Sequence, residues 1–541
     1  MARHTTGEII TRMLVQQGVD TVFGIPGAHM YDLNDAIARE EGLRFVHTRH
    51  EQGAGYMAYG YARSTGRPGV FTVVPGPGLL NAGAALCTAY GANAPVMCLT
   101  GNIMSHMIGK GRGQLHELPD QLALMRGLTK WSERIDHPSE AKAVMADGFR
   151  HLLSGRPRPV GIEAPWDVFG QSTELELDAE SYDPDATLPD EAEIEAAVSA
   201  IAKATNPLIM VGGGAMNAAA EVLELAQRLQ APVTAHRSGK GVLSEDHPLS
   251  LLPPAAWHYW KDCDLLIGIG SRLELQHMRW KWMPAGLKTI RMDIDPTEFV
   301  RLPAEHTILA DAVSGTQALL DALPTASRND RGAELETLRQ SVAPTVSAVK
   351  PQVDYLNVIR DVLPRDGFFV EEVSQVGFTA RMAFPVYAPR QYVSCGYQDN
   401  LGFGFNTALG VKIAHPDRSV VSVSGDGGFM FGVQELATAV QYRIGVVAIV
   451  FNNGSYGNVR RDQQMRYGNR LIGSDLENPD FVDLAHSFGA WARRVTNPSE
   501  LRNALTEALE LDAPAVIEVM IGRDGDGSPW PLIHPAPHGA T

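Results

Sequence analysis

Residues Gly425–Asn453 read GDGGFMFGVQELATAVQYRIGVVAIVFNN. The apolar run Val420–Val423 stops at Gly425-Asp426-Gly427. An amphipathic stretch follows, and a second apolar run, Gly445–Phe451, stops at Asn452-Asn453. The pattern predicts strand, tight turn, helix, strand. Both strands of such a unit are parallel, so Asp426 and Asn453 emerge at the same carboxyl edge of a sheet. One carboxylate and one amide beside glycine-rich backbone suit a hard cation holding a polyphosphate. Mg²⁺ takes oxygen ligands in near-octahedral geometry and keeps substrate phosphate among them. The helix after the glycines turns its N-terminal amides toward that phosphate. Singly, Asp-Gly and Asn-Asn-Gly are ordinary turns; the pair at this spacing is what is specific.

The chain has 541 residues, too many for one core, so several domains are expected. A net charge of −16 with no long basic run argues against nucleic acid as a partner. Cys87, Cys98, Cys263 and Cys395 are widely spaced, form no CxxC, and fit a reducing compartment without a zinc site. The opening MARHTTGEIITRMLVQQGV reads as an amphipathic helix and not as a signal peptide. No apolar run of about 18 residues is present, so no membrane span is expected. A cytoplasmic location is the expectation.

Alternating strand and helix patterns divide the chain into three α/β blocks, each predicted to be doubly wound around a mainly parallel sheet. They span 1–170, 191–323 and 351–521, with 523–541 as a tail or lid. Strands are predicted at Thr21–Phe23, Arg44–Thr48, Gly69–Val74 and Val96–Thr100 in the first block. In the second they fall at Leu208–Val211, Leu265–Ile269 and Thr289–Asp293. The acidic stretch Gln171–Glu191 reads as a linker and Pro324–Lys350 as a helical connector. No short-period repeat is visible.

The first block carries three further segments: FGIPGAH at Phe23–His29, RHEQGA from Arg49, and GPGLLN at Gly76–Asn81. Glu51 alone would be a first-turn glutamate stabilised by its helix dipole. His-Glu without a second histidine at the required spacing excludes a zinc protease. Together with GDG…NN, these segments resemble the thiamine-diphosphate (ThDP) enzymes of the acetolactate synthase, 2-oxo acid decarboxylase and benzaldehyde lyase superfamily. The likeness covers the whole chain in the order pyrimidine-binding, central and diphosphate-binding domain. VQELATAV, NPDF at Asn478–Phe481 and GKGVLSEDHPLSL at Gly239–Leu251 make it acetolactate synthase-like.

The resemblance implies that Asp426, Asn453 and the main-chain carbonyl of Ser455 hold Mg²⁺. It implies that Glu51 bonds the aminopyrimidine of ThDP and, by protonating it, favours the tautomer that removes the C2 proton within the cofactor. A glutamate in an apolar pocket is suited to sharing such a proton. Leu401, before GFG, takes the place of the aliphatic wedge under the bent cofactor; taken alone it would be a core leucine. Ser374 and Gln375, in EEVSQVG, occupy the diphosphate loop. Pro26, Gly27, Asn81, Gly425, Gly427, Gly428, Tyr456 and Gly457 complete the expected cofactor contacts. His29 and His116 fall in loops that face the reactive carbon in relatives and are candidate proton carriers. Gln114 and the tail are candidate substrate contacts.

The expected activity is cleavage or formation of a C–C bond on a 2-oxo acid, with decarboxylation and either aldehyde release or ligation to an aldehyde or ketone acceptor. The family implies at least a homodimer, each cofactor lying between the first block of one subunit and the third of another. Departures qualify the match. LLPPAAWHYWKDCD from Leu251 replaces the GMHG-type segment of flavin-holding members, so FAD is not expected. Asp462 replaces the tryptophan of VRQWQ. Gly212–Gly214 lacks a full GxGxxG. Three alternatives stay open: an FAD-containing synthase or oxidase, a non-catalytic subunit of the same fold, and a simple nucleotide-binding Rossmann protein.

Overall fold

The structure is a computed structural model that describes residues 2–177 and 181–539. Part of the expected linker and the last residues of the expected tail lie outside the described residues.

The strands, in chain order, are β1 (Ala2–Thr5), β2 (Thr21–Gly24), β3 (Arg44–His47), β4 (Gly69–Val73), β5 (Val96–Asn102), β6 (Trp131–Arg134), β7 (Val160–Pro165), β8 (Ser172–Leu175), β9 (Pro207–Val211), β10 (Val233–Ala235), β11 (Leu265–Ile269), β12 (Lys288–Asp293), β13 (His306–Leu309), β14 (Phe368–Glu371), β15 (Tyr392–Val393), β16 (Val420–Gly425), β17 (Val446–Asn452), β18 (Trp491–Val495) and β19 (Ala515–Met520). All but β1 and β8 form three parallel α/β sheets, ordered β3-β2-β4-β5-β7-β6, β10-β9-β11-β12-β13 and β15-β14-β16-β17-β19-β18, while β1 and β8 pair in a small separate sheet. The interior strands β4, β5, β16 and β17 are buried along almost their whole length, as expected where helices cover both faces.

The first and third sheets share one strand order. In each the chain runs outward by one strand and then reverses to the other side, which opens a crevice between β2 and β4 and between β14 and β16. Ligands in open α/β sheets bind beyond the carboxyl ends of strands at such reversals. The loops that follow these strands hold most of the candidate residues.

The two like sheets also share a core. Phe23, Tyr56, Tyr59 and Phe71 pack in one cluster with Phe403, Phe405, Leu409 and Val420. Helix Glu51–Thr65 of the first block crosses helix Gly404–Ala414 of the third at backbone contact. A Cβ on Gly60 would fall 2.1 Å from the Thr407 carbonyl oxygen, and one on Gly410 would fall 2.0 Å from that of Met57. Any side chain at either glycine pushes the helices apart. The central sheet has its own core. Arg156 pins the first block to it, with buried ion pairs to Asp293 (3.0 Å) and Glu298 (2.8 Å).

Two expectations need correction. The opening segment is not helical throughout: β1 precedes helix Thr6–Gln16 and pairs antiparallel with β8. Part of the stretch expected to be a linker is therefore strand; its mostly polar, partly buried residues hid the pairing. The connector does contain a helix, Gly332–Ser347. No helix among the described residues is long and apolar enough to cross a membrane.

Candidate active site

β16 and β17 are neighbours, with Gly425 opposite Phe451, so the turns after them lie side by side. Between these turns and the loop after β14 is a cavity of about 250 Å³. Asp426, Asn453 and Ser455 line it from one side, and Ser374, Gln375 and Leu401 from another. Gly425, Gly427, Gly428, Tyr456 and Gly457 complete the wall. A Cβ on Gly427 would sit 2.4 Å from the Tyr456 ring, so this turn admits only glycine.

The Asp426 carboxylate is buried. Oδ1 accepts the Gly427 N–H (2.9 Å); Oδ2 accepts the Gly454 N–H (2.8 Å) and Asn478 Nδ2 (2.7 Å). Burial pushes its pKa up, against the pull of these bonds. The Asn453 amide oxygen accepts the Ser455 N–H and Oγ–H, both at 3.0 Å. Its Nδ2 donates to Asp526 (2.6 Å). Asn452, the other half of the Asn-Asn pair, is structural and ties Glu518 and Asn478 together. Ser374 caps helix Gln375–Ala383 by accepting the Gly377 N–H (3.1 Å), which aims that helix's free amides at the cavity. Gln375 Oε1 is buried there without a partner. A carboxylate, an amide oxygen, main-chain groups, a helix start and an orphaned amide suit a hard cation with a diphosphate. Among the described residues no cluster of three His, Cys, Asp or Glu side chains forms a metal cage.

The first block builds a second constellation. Glu51 opens helix Glu51–Thr65, and Asn81 Nδ2 donates to its Oε2 (2.9 Å). A Cβ on Gly78 would lie 3.5 Å from Glu51 and 2.7 Å from Val74; one on Gly27 would lie 2.6 Å from Val74. Pro26-Gly27, Val74, Gly78, Asn81 and Glu51 thus form one wall. His29 and His116 face each other nearby, ring centroids 5.3 Å apart, with His29 edge-on to Trp166 at 4.9 Å. Both have left-handed backbone, φ 72° and 65°, and both Nδ1 atoms are buried without a partner. Such strain in non-glycine residues concentrates at functional sites. Burial, then the neighbouring His116, lowers the His29 pKa, which leaves it a neutral base near pH 7. Gln114 is exposed, with its N–H donating to Glu117 (2.8 Å).

Each half is therefore assembled, but the chain does not join them: every residue lining the 250 Å³ cavity belongs to 373–526. Four supporting residues escaped the sequence reading. Gln121 accepts the Gly76 N–H (2.8 Å) and donates to Gly101 and Glu163 (2.8 Å each), which fixes the glycine loop. Asn478 holds Asp426; the NPDF segment could have pointed to it. Asp526 reaches Asn453 from the tail, and no motif marks it. Glu435, in VQEL, accepts the N–H groups of Arg49 (3.0 Å) and His50 (2.9 Å) just ahead of Glu51.

Burial pushes the Glu435 carboxyl to about 7 and that of Glu372, just after β14, also to about 7. Both folded values lie above the ordinary 4.5, so the folded state binds more protons than the unfolded one between these limits. Their contribution to stability is complete below about 4.5 and is lost as pH rises through about 7. Wild type should therefore lose thermal stability relative to Glu435→Gln across that window. A wild-type advantage that grew with pH would contradict the assignment.

A larger cavity, about 470 Å³, lies between the first and central blocks, edged by Gly212–Gly214 and Arg237. His236 Nε2 and Arg237 Nε are buried there without partners.

Comparison with known proteins matches three segments of the chain to one family. Residues 4–124 match the thiamine pyrophosphate enzyme N-terminal TPP binding domain, 194–320 the central domain, and 372–519 the C-terminal TPP binding domain. A probable 2-ketoarginine decarboxylase of Pseudomonas aeruginosa is 33% identical over 95% of this chain and 94% of its own. A probable acetolactate synthase large subunit of Methanocaldococcus jannaschii is 34% identical over 95% and 91%. The acetolactate synthase isozyme 1 large subunit of Escherichia coli is 32% identical over 98% and 96%. With all three domains present in order, the chain belongs to the thiamine pyrophosphate enzyme family and is acetolactate synthase-like.

Proposed function

We propose that this protein uses ThDP and Mg²⁺ to break the bond between the carbonyl and carboxylate carbons of a 2-oxo acid, releasing CO₂. The remaining acyl unit leaves as an aldehyde or joins an aldehyde or ketone acceptor as a 2-hydroxy ketone. The supporting observation is the oxygen-lined, glycine-walled cavity around the buried Asp426. Asp426, Asn453 and the Ser455 carbonyl would hold the metal; the Gly425–Gly428 turn and the helix start at Gln375 would receive the diphosphate. When bound, ThDP supplies the electron sink that lets carboxylate leave as CO₂. Glu51 would hold a proton at a pyrimidine ring nitrogen, fixed by Asn81. His29 and His116 would bind the 2-oxo acid and move a proton at its carbonyl-derived oxygen. Two half-sites in one chain support a homodimer in which each copy gives Glu51 to one site and Asp426 to the other.

One observation favours a second reading, a flavin-holding member of the family. The central cavity offers glycine backbone and an unpartnered arginine nitrogen to an anionic ligand. A single experiment separates the two. Purified protein is scanned for flavin absorption, then assayed against 2-oxo acids, guanidino-substituted ones included, with CO₂ and product mass measured together. The first reading expects a colourless protein that releases CO₂ only with ThDP and Mg²⁺; release without them would refute it. Bound flavin would favour the second.

A further inference from the structure

β14 ends at Glu371 and is followed at once by Glu372, both fully buried. Glu371 is neutralised by Arg381 (2.8 Å) and bonded by Tyr392 and Ser394. Glu372 makes no ion pair among the described residues. Instead its Oε1 accepts the Gly402 N–H (2.7 Å), while Oε2 accepts the Gly404 N–H (3.1 Å) and Ser424 Oγ–H (2.8 Å). Gly402 directly follows Leu401, which lines the cofactor cavity. The same carboxylate lies against the glycine turn, since a Cβ on Gly428 would fall 2.1 Å from Glu372 Oε1. It therefore fills the slot between the Leu401 segment and the turn that carries Asp426.

An unpaired buried carboxylate is costly, and burial raises its pKa to about 7. A neutral filler would be cheaper. Only a group with two acceptor oxygens holds both backbone N–H donors flanking Phe403. We propose that Glu372 is a positioning residue that sets the height of Leu401 above the diphosphate turn, and so selects the bent form of the whole cofactor over its diphosphate alone. This rests on the reading in which Leu401 supports the cofactor's rings and the Asp426 turn holds its diphosphate.

Glu372→Gln tests it. The side chain keeps its size, but whichever way the amide turns, its NH₂ faces either the Gly402 or the Gly404 N–H. Binding of Mg²⁺–ThDP and of Mg²⁺–pyrophosphate to the full chain is measured by calorimetry, with the near-ultraviolet dichroism of bound ThDP as a reporter of ring geometry. The expected result is a loss of about tenfold or more for ThDP, less than about twofold for pyrophosphate, and an altered dichroism band. Equal losses for both ligands, or none for either, would overturn the proposal.

Leu401→Ala should give the same ThDP-selective loss, and the double variant should lose little more than either single one. If Leu401→Ala loses ThDP selectively while Glu372→Gln does not, Glu372 is excluded and the function stands. If wild type binds neither ligand, the function itself fails. Should Glu372→Gln not fold, Ser424→Ala removes one donor to the same oxygen and is expected to shift ThDP affinity alone; no shift would count against the proposal.

Discussion

Glu51→Gln is expected to bind Mg²⁺ and ThDP as wild type does, yet to lose about 10²–10⁴ in turnover. Glutamine fills the same volume and still meets Asn81, whose Nδ2 donates to Glu51 Oε2 at 2.9 Å. It cannot hold a transferable proton. The walls around the position, Val74 and Gly78, are unchanged by the substitution. The loss should fall on kcat and on the rate at which the C2 proton of bound ThDP exchanges with deuterium, and not on cofactor affinity. Unchanged exchange and turnover would show that Glu51 is only a first-turn helix residue.

Asp426→Asn is expected to act one step earlier, by abolishing cofactor retention. Removing a group that merely orients a metal ligand costs about 10–100-fold in metal affinity, so losing the carboxylate ligand should cost more than about 100-fold. Both Asp426 oxygens also accept N–H groups, from Gly427, Gly454 and Asn478. An amide NH₂ would face one of these donors and loosen the turn as well. Wild-type protein should gain thermal stability on adding Mg²⁺ and ThDP together, by mass action, and the variant should not. A variant stabilised as strongly as wild type would remove Asp426 from the metal site.

Interior strands such as β16 and β17 were legible from sequence, as was the edge strand β3, whereas the interior β7 and β19 were not singled out. Val420–Gly425 and Val446–Asn452 are covered by helices on both faces and therefore read as largely apolar runs, interrupted in the first only by Ser422 and Ser424, that stop abruptly at the functional turns. The edge strands β6 and β18 carry WSER and WARRV, with charged side chains reaching solvent, and show no such run. β8 was hidden in the same way. The matching strand orders of the first and third sheets leave no repeat in the sequence, because topology constrains burial and not identity.

Motif residues were legible where backbone geometry demands a residue type, as at Gly427 against Tyr456. The partners of those motifs were not. Asp526 and Asn478 arrive from distant segments, and the roles of Glu372 and Glu435 depend on which amides the fold turns toward them. The facing of His29 and His116 depends on two left-handed residues that no pattern announces.

Equal amounts of Glu51→Gln and Asp426→Asn chains, each inactive alone, can be unfolded together or co-expressed and allowed to assemble. If one copy supplies Glu51 and the other Asp426 to a shared cofactor, half the dimers are mixed and each mixed dimer keeps one intact site. Activity should then return to about one quarter of wild type. No recovery in verified mixed dimers would contradict the account.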